Sequence, residues 1–195
     1  MVESVEKTKR KETYKIMKRT LGDDYVTFSI NEGHILEDVA NKKTNLCIKF
    51  SENGGEQCTI ERSGFGVVNV LFDALIDQYE KTYTSLSDIT LKKFSVTPDF
   101  SKIKGNGSDA KVVVEMMFSN TSNQITTFSE KCDSLFSSML KTIFKAFEFY
   151  INREKSFNRL NFFIEDSKKR NRGDLIQKYT YDLTCVIKHD IIIKW

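Results

Sequence analysis

The sequence predicts an α+β fold: two repeated βββα units forming one domain, with an N-terminal arm and a C-terminal extension. Three observations predict it. Several short segments alternate apolar and polar residues at period two, two longer segments carry apolar stripes at helical period, and the chain resembles itself at an offset of 68 residues. Strand-rich units ending in single helices pair most simply sheet edge to sheet edge, with the helices on one face. At 195 residues, with 39% hydrophobic residues and 15 Phe, the chain is long and apolar enough to bury a core.

Residues 1–23 form a charged arm with one apolar step at Tyr14, Ile16 and Met17, expected to be mobile or helical. Structure is expected to begin near Asp24. Residues 25–30 and 45–50 alternate as strands, the second placing Leu46, Ile48 and Phe50 on one face. Asn53-Gly54-Gly55 supplies turn chemistry, and residues 57–62 return as the second arm of a hairpin. Val68, Leu71, Phe72, Leu75, Ile76 and Tyr79 then recur at helical spacing and predict a helix over residues 67–83. Residues 89–96, 109–118 and 125–130 read as three more strands. A second helix is expected over residues 134–152, with Met139, Leu140, Ile143, Phe144 and Phe147 on its apolar face. At the offset of 68, Phe50-Ser51 falls on Phe118-Ser119, Leu71-Phe72 on Met139-Leu140, and Leu75-Ile76 on Ile143-Phe144. The duplicated domain therefore spans residues 24–152. Residues 153–195 form an extension, helix or loop first, then a strand or strand pair in the alternating end segment 179–195, which could add to a sheet edge or lie against a partner.

Composition excludes several functions. A net charge of +3 points to neither a nucleic-acid binder nor a membrane-surface protein. The basic clusters at Lys7 to Lys11 and Lys168 to Arg172 are diluted by Glu3, Glu6, Glu12, Glu165 and Asp166, which leaves nucleic-acid binding a minority reading. Cys47, Cys58, Cys132 and Cys185 have neither C-x-x-C spacing nor adjacent histidines, so neither a zinc site nor a disulfide framework is expected. No segment has the apolar length of a membrane span and the N-terminus lacks the apolar core of a secretory signal, so a cytoplasmic location with free thiols is expected. His34 and His189 read as a loop residue and a strand-edge residue, and no nucleophile motif is present.

The chemically suggestive segment is Ser63-Gly64-Phe65-Gly66-Val67-Val68-Asn69, where a strand meets two glycines and a helix N-terminus. Glycine lets a ligand approach the backbone, and a helix N-terminus offers free N–H groups to a carboxylate or phosphate. The third glycine of a dinucleotide fingerprint and the Gly-Lys-Ser/Thr of a P-loop are absent. The structural alternative is a tight turn without a ligand, with Asn69 facing solvent and Asp133 capping the second helix.

In context, residues 63–75 and the repeat that follows resemble the C-terminal regulatory domain of 2-isopropylmalate synthases and the related citramalate synthases. In that family a Ser-Gly-x-Gly-Pro-Val-Asn/Asp-Ala turn opens the first helix. Ser63, Gly64, Gly66, Val68 and Asn69 stand at matching places, while Val67 replaces the usual proline. In the second unit Asp133 and Ser138 keep the family's spacing, whereas Thr127 and Ser129 stand where glycines are expected. The resemblance covers residues 25–152. It implies a dimerising, feedback-sensing domain that binds leucine or a related branched-chain amino acid at Gly64, Gly66, Val68, Asn69, Asp133 and Ser138, without cofactor or catalysis of its own. The acetyl-CoA-dependent barrel that such a domain controls would be a separate subunit, since its His-x-His metal pair has no counterpart here. The alternative is a dimerisation or interaction scaffold in which sensing has decayed. Phe144, Phe147, Phe149 and Tyr150 are candidates for a subunit interface.

Overall fold

A computed structural model describes residues 2–99, 110–187 and 191–193, with side chains from residue 11 to 187 within those limits. The element order is α1 (Val2–Leu21), a short 3-10 turn (Gly22–Asp24), β1 (Phe28–Asp38), β2 (Lys43–Glu52), β3 (Gln57–Gly64) and α2 (Val67–Tyr79). After a second 3-10 turn (Thr84–Asp88) come β4 (Thr90–Asp99), β5 (Lys111–Ser119), β6 (Ile125–Cys132), α3 (Leu135–Lys169), α4 (Gly173–Ile187) and β7 (Ile191–Ile193). The fold is α+β, with two antiparallel three-strand meanders each followed by a helix.

The duplication is visible residue by residue. β3 and β6 begin and end 68 residues apart, as do the first residues of α2 and α3. The leading strands repeat at a different offset, 61, and carry the same irregularity. The β1–β2 register shifts between Ile30 and Glu32, and the β4–β5 register shifts between Leu91 and Lys93. A bulge twists its strand and spoils its outer edge for further pairing.

The sheets do not meet edge to edge as expected. The strand orders are β1-β2-β3 and β4-β5-β6-β7, and no ladder joins them among the described residues. The bulged strands β1 and β4 are each one edge of their sheet, and α3 packs against both sheets. Phe144 packs edge-on against Phe28 and Phe50 of the first sheet. Phe147 meets Phe72 of α2, which stacks on Phe118 of the second sheet. Phe149 and Tyr150 close on Phe128. All four aromatic residues expected at a subunit interface are therefore buried inside this one chain. Such ring pairs add to the energy of area burial.

The two ends depart most from expectation. The arm is a 20-residue helix whose Ile16, Met17 and Leu21 are buried, and Tyr14 rests on Phe149. Its exit is clamped by α3. Asn152 accepts from Val26 N–H at 2.8 Å and donates to Val26 O at 2.7 Å, while Arg159 reaches Leu21 O. α3 runs 35 residues, well past the end expected at 152, because Asn152 spends its amide on this buried clamp instead of ending the helix. Residues 179–187, read as strand, are the second half of α4. Tyr179, Asp182, Leu183 and Val186 fall on one helical face, and Tyr179 packs on Phe163 with centroids 5.2 Å apart. Of the two alternatives for the end segment, addition to a sheet edge is made by β7, which pairs parallel to β6. Asp109, His189 and Trp195 lie outside the described residues.

Candidate functional site

The six sequence-derived positions form two clusters, one per unit. In the first, β3 ends at Gly64 and α2 starts at Val67. A Cβ on Gly64 would lie 2.8 Å from Val70 Cγ2, so glycine is required for the helix to fold back over its own strand. Gly66 is the N-cap of α2 with φ +74°, a left-handed conformation that glycine adopts without cost. No side chain caps this helix; Val70 N–H bonds Gly66 O at 3.0 Å. The space beside Gly66 is open, Asn69 is exposed and Val68 is half-buried. The turn thus presents the first N–H groups of a 13-residue helix beside a small, open glycine.

The second turn is built on the same frame with different chemistry. Ser134 stands where Gly66 stands and caps α3, its hydroxyl accepting from Ser137 N–H at 3.1 Å. Asp133, expected as that cap, is exposed and paired with Lys111 at 3.0 Å, because the residue one step later reaches the helix amides. Ser138 stands where Val70 stands and is fully buried. Its hydroxyl accepts from Cys132 N–H at 2.9 Å and donates to Val112 O at 2.7 Å. The strand-to-helix closure made by Gly64 and Val70 as a van der Waals contact is made here by hydrogen bonds. Thr127 and Ser129 lie within β6, opposite Met117 and Glu115, and not in the turn. Among the described residues, no hydrogen bond or ion pair links one turn to the other.

Two concavities lie elsewhere. One, of about 570 Å³, opens on the outer face of the first sheet, where His34, Cys47 and Glu61 stand directly opposite one another on three strands. Sequence spacing could not reveal this row, since cross-strand register brings it together. Its chemistry is quiet. The Cys47 thiol donates to Glu61 at 3.7 Å, and burial, then the Glu61 charge, push its pKa up, away from a nucleophilic thiolate. Glu32 holds Lys49 and His34, each at 2.7 Å; the Lys49 hydrogen bond, ahead of the His34 one, keeps its carboxyl below the usual range. No group of three or more His, Cys, Asp or Glu among the described residues is placed to hold a metal ion.

The other concavity, of about 460 Å³, lies where α4 ends, between the β5–β6 turn and α3. Its polar walls bond to each other. Arg153 donates to Val186 O at 2.9 Å and to Gln124 at 3.1 Å, and Glu154 accepts from the Ser85 hydroxyl at 2.6 Å and from Ser85 N–H at 3.0 Å.

No described helix is long and apolar enough to cross a membrane. No protein-family model matches the chain, and a search of curated proteins finds no match.

Proposed function

We propose that this chain is a non-catalytic amino-acid-sensing domain of the kind that regulates 2-isopropylmalate synthase. It binds leucine or a related branched-chain amino acid and passes feedback control to a separate catalytic barrel through a homodimer. The observation that carries this reading is the asymmetry of the two turns. Both have the same frame, yet only the first keeps an uncapped helix N-terminus beside an open glycine. An amino acid's carboxylate would lie against the α2 amides next to Gly66, with its side chain toward Val68. Binding would then bias one of two dimer arrangements.

The Gly66→Ala variant tests this placement. An added Cβ meets no atom within 4 Å, so the fold should survive with only the backbone cost of placing alanine at φ +74° and ψ 124°, about 1–3 kcal/mol. In a thermal-shift assay wild type should be stabilised by leucine or isoleucine and the variant much less. Equal shifts in both proteins would remove the ligand from this turn.

A second reading, a dimerisation or interaction scaffold without sensing, is favoured by the closed chemistry of the second turn, where Ser134 and Ser138 are consumed by the protein's own backbone. It predicts a dimer whose melting temperature is indifferent to leucine, isoleucine and valine.

A further inference from the structure

The two sheets of the duplicated domain expose different edges. β1 and β4 each carry a bulge at the equivalent position, and β4 includes Pro98, which has no N–H to offer. β6 is covered by β7. β3, the counterpart of β6, has neither device. It pairs with β2 in unbroken register from Thr44↔Gly64 to Ser51↔Gln57, contains no proline, and has no strand on its far side among the described residues. Among the described residues, the edges of the two meanders other than β3 are bent at β1 and β4 or occupied at β6.

We propose that the β3 edge is a docking site for an extended segment of a partner protein, which adds as a fourth strand parallel to β3. The repeat supplies the register. β7 runs opposite Thr126, Thr127 and Phe128, whose counterparts on β3 are Cys58, Thr59 and Ile60. The side chains there supply the chemistry. Cys58 and Ile60 lie on the helix side, half-buried and 8% exposed, and ask for apolar neighbours. Thr59 and Glu61 lie on the open side, and among the described residues Glu61 bonds only the Cys47 thiol and forms no ion pair. The partner segment therefore alternates apolar residues on one face with a basic residue on the other, beside Glu61. Backbone pairing supplies affinity and the alternate pockets supply selectivity.

The chain's own last residues have this pattern, so a labelled peptide of residues 188–195, Lys-His-Asp-Ile-Ile-Ile-Lys-Trp, is a suitable probe. Set on β3 in the β7 register, its Ile-Ile-Ile run faces Cys58 to Ile60 and its second lysine falls beside Glu61. Titrated onto the full chain, it should bind saturably and slow amide hydrogen exchange over residues 57–64. Glu61→Lys, at an exposed position that should leave melting unchanged, should weaken binding at least tenfold, and changing the peptide's second lysine to glutamate should restore it. Three results would each overturn the proposal: no saturable binding, protection over residues 125–132 instead, or indifference to Glu61→Lys. Self-association of the chain that Glu61→Lys abolishes would assign the edge to a second copy and overturn the foreign-strand assignment.

Discussion

Gly64 and Val70 set the geometry of the first turn through a contact that only glycine permits. Gly64→Ala forces a methyl to 2.8 Å from Val70 Cγ2 and should destabilise the fold by about 1–3 kcal/mol. Val70→Ala in the same chain should recover part of that loss, and a double-mutant cycle by chemical denaturation measures the coupling. Simple additivity of the two changes would show that the contact does not limit helix approach. In the second unit the matching residue is Ser138, and Ser138→Ala leaves the Cys132 N–H without its partner, at a cost of about 1–3 kcal/mol. A loss below a few tenths would mean that another group satisfies that amide. Glu148 offers a pH-dependent test. It is half-buried on α3, accepts from Phe28 N–H at 3.4 Å, and is faced by Lys18, Lys145 and Tyr25; burial raises its pKa above the ordinary glutamate value. In the window between its unfolded and folded pKa values the native state holds more proton, so stability falls as pH rises through that window and stays reduced at neutral pH. Glu148→Gln should raise the melting temperature at pH 7, with the gain shrinking as pH falls through the folded pKa. A gain that grows on acidification would contradict the burial argument.

At the scale of elements, α3 organises the molecule, since one helix serves both sheets and the α1–α4 layer. Phe144 is its central contact with the first sheet, 5.1 Å from Phe50 between centroids and 3% exposed. Phe144→Ala should cost about 3–5 kcal/mol in denaturant unfolding, and a cost near 1 kcal/mol would mean that the two sheets are not held through this helix. Five strands of the two meanders and the start of each repeat helix were legible because half-buried sheets and one-sided helices write their faces as period-two and period-3.6 patterns. β1 is the exception: expected over residues 25–30, it runs instead from Phe28 to Asp38 and takes in His34, expected in a loop, and its largely exposed residues past the bulge show no alternation. What stayed hidden was set by distant contacts. Asn152-Arg153-Glu154 looks like a polar break, yet Asn152 is fully buried against Val26 and Arg153 caps the carbonyl end of α4. Residues 179–187 are rich in β-branched and aromatic residues at apparent period two, and packing on α3 and α1 overrides that preference. The buried Asp182, bonded to Arg19 at 2.7 Å, marks the helical face.

At the scale of the whole molecule, duplication explains more than either unit does alone. It was legible as an offset of 68, and it locates the differences that matter: glycine against serine at the helix caps, an open edge on β3 against a covered one on β6. The candidate site was legible only in part. Glycines at a strand-to-helix junction announce themselves, but Ser138 as an internal fastener and the His34–Cys47–Glu61 row depend on register. Under the proposed function the first turn would read an amino acid within a dimer. Calorimetric titration of the full chain with leucine and with isoleucine, with mass in solution recorded on the same sample, tests it most directly. Micromolar binding to a dimer, about −8 kcal/mol, is the predicted result, and a monomer that takes up neither amino acid would contradict it.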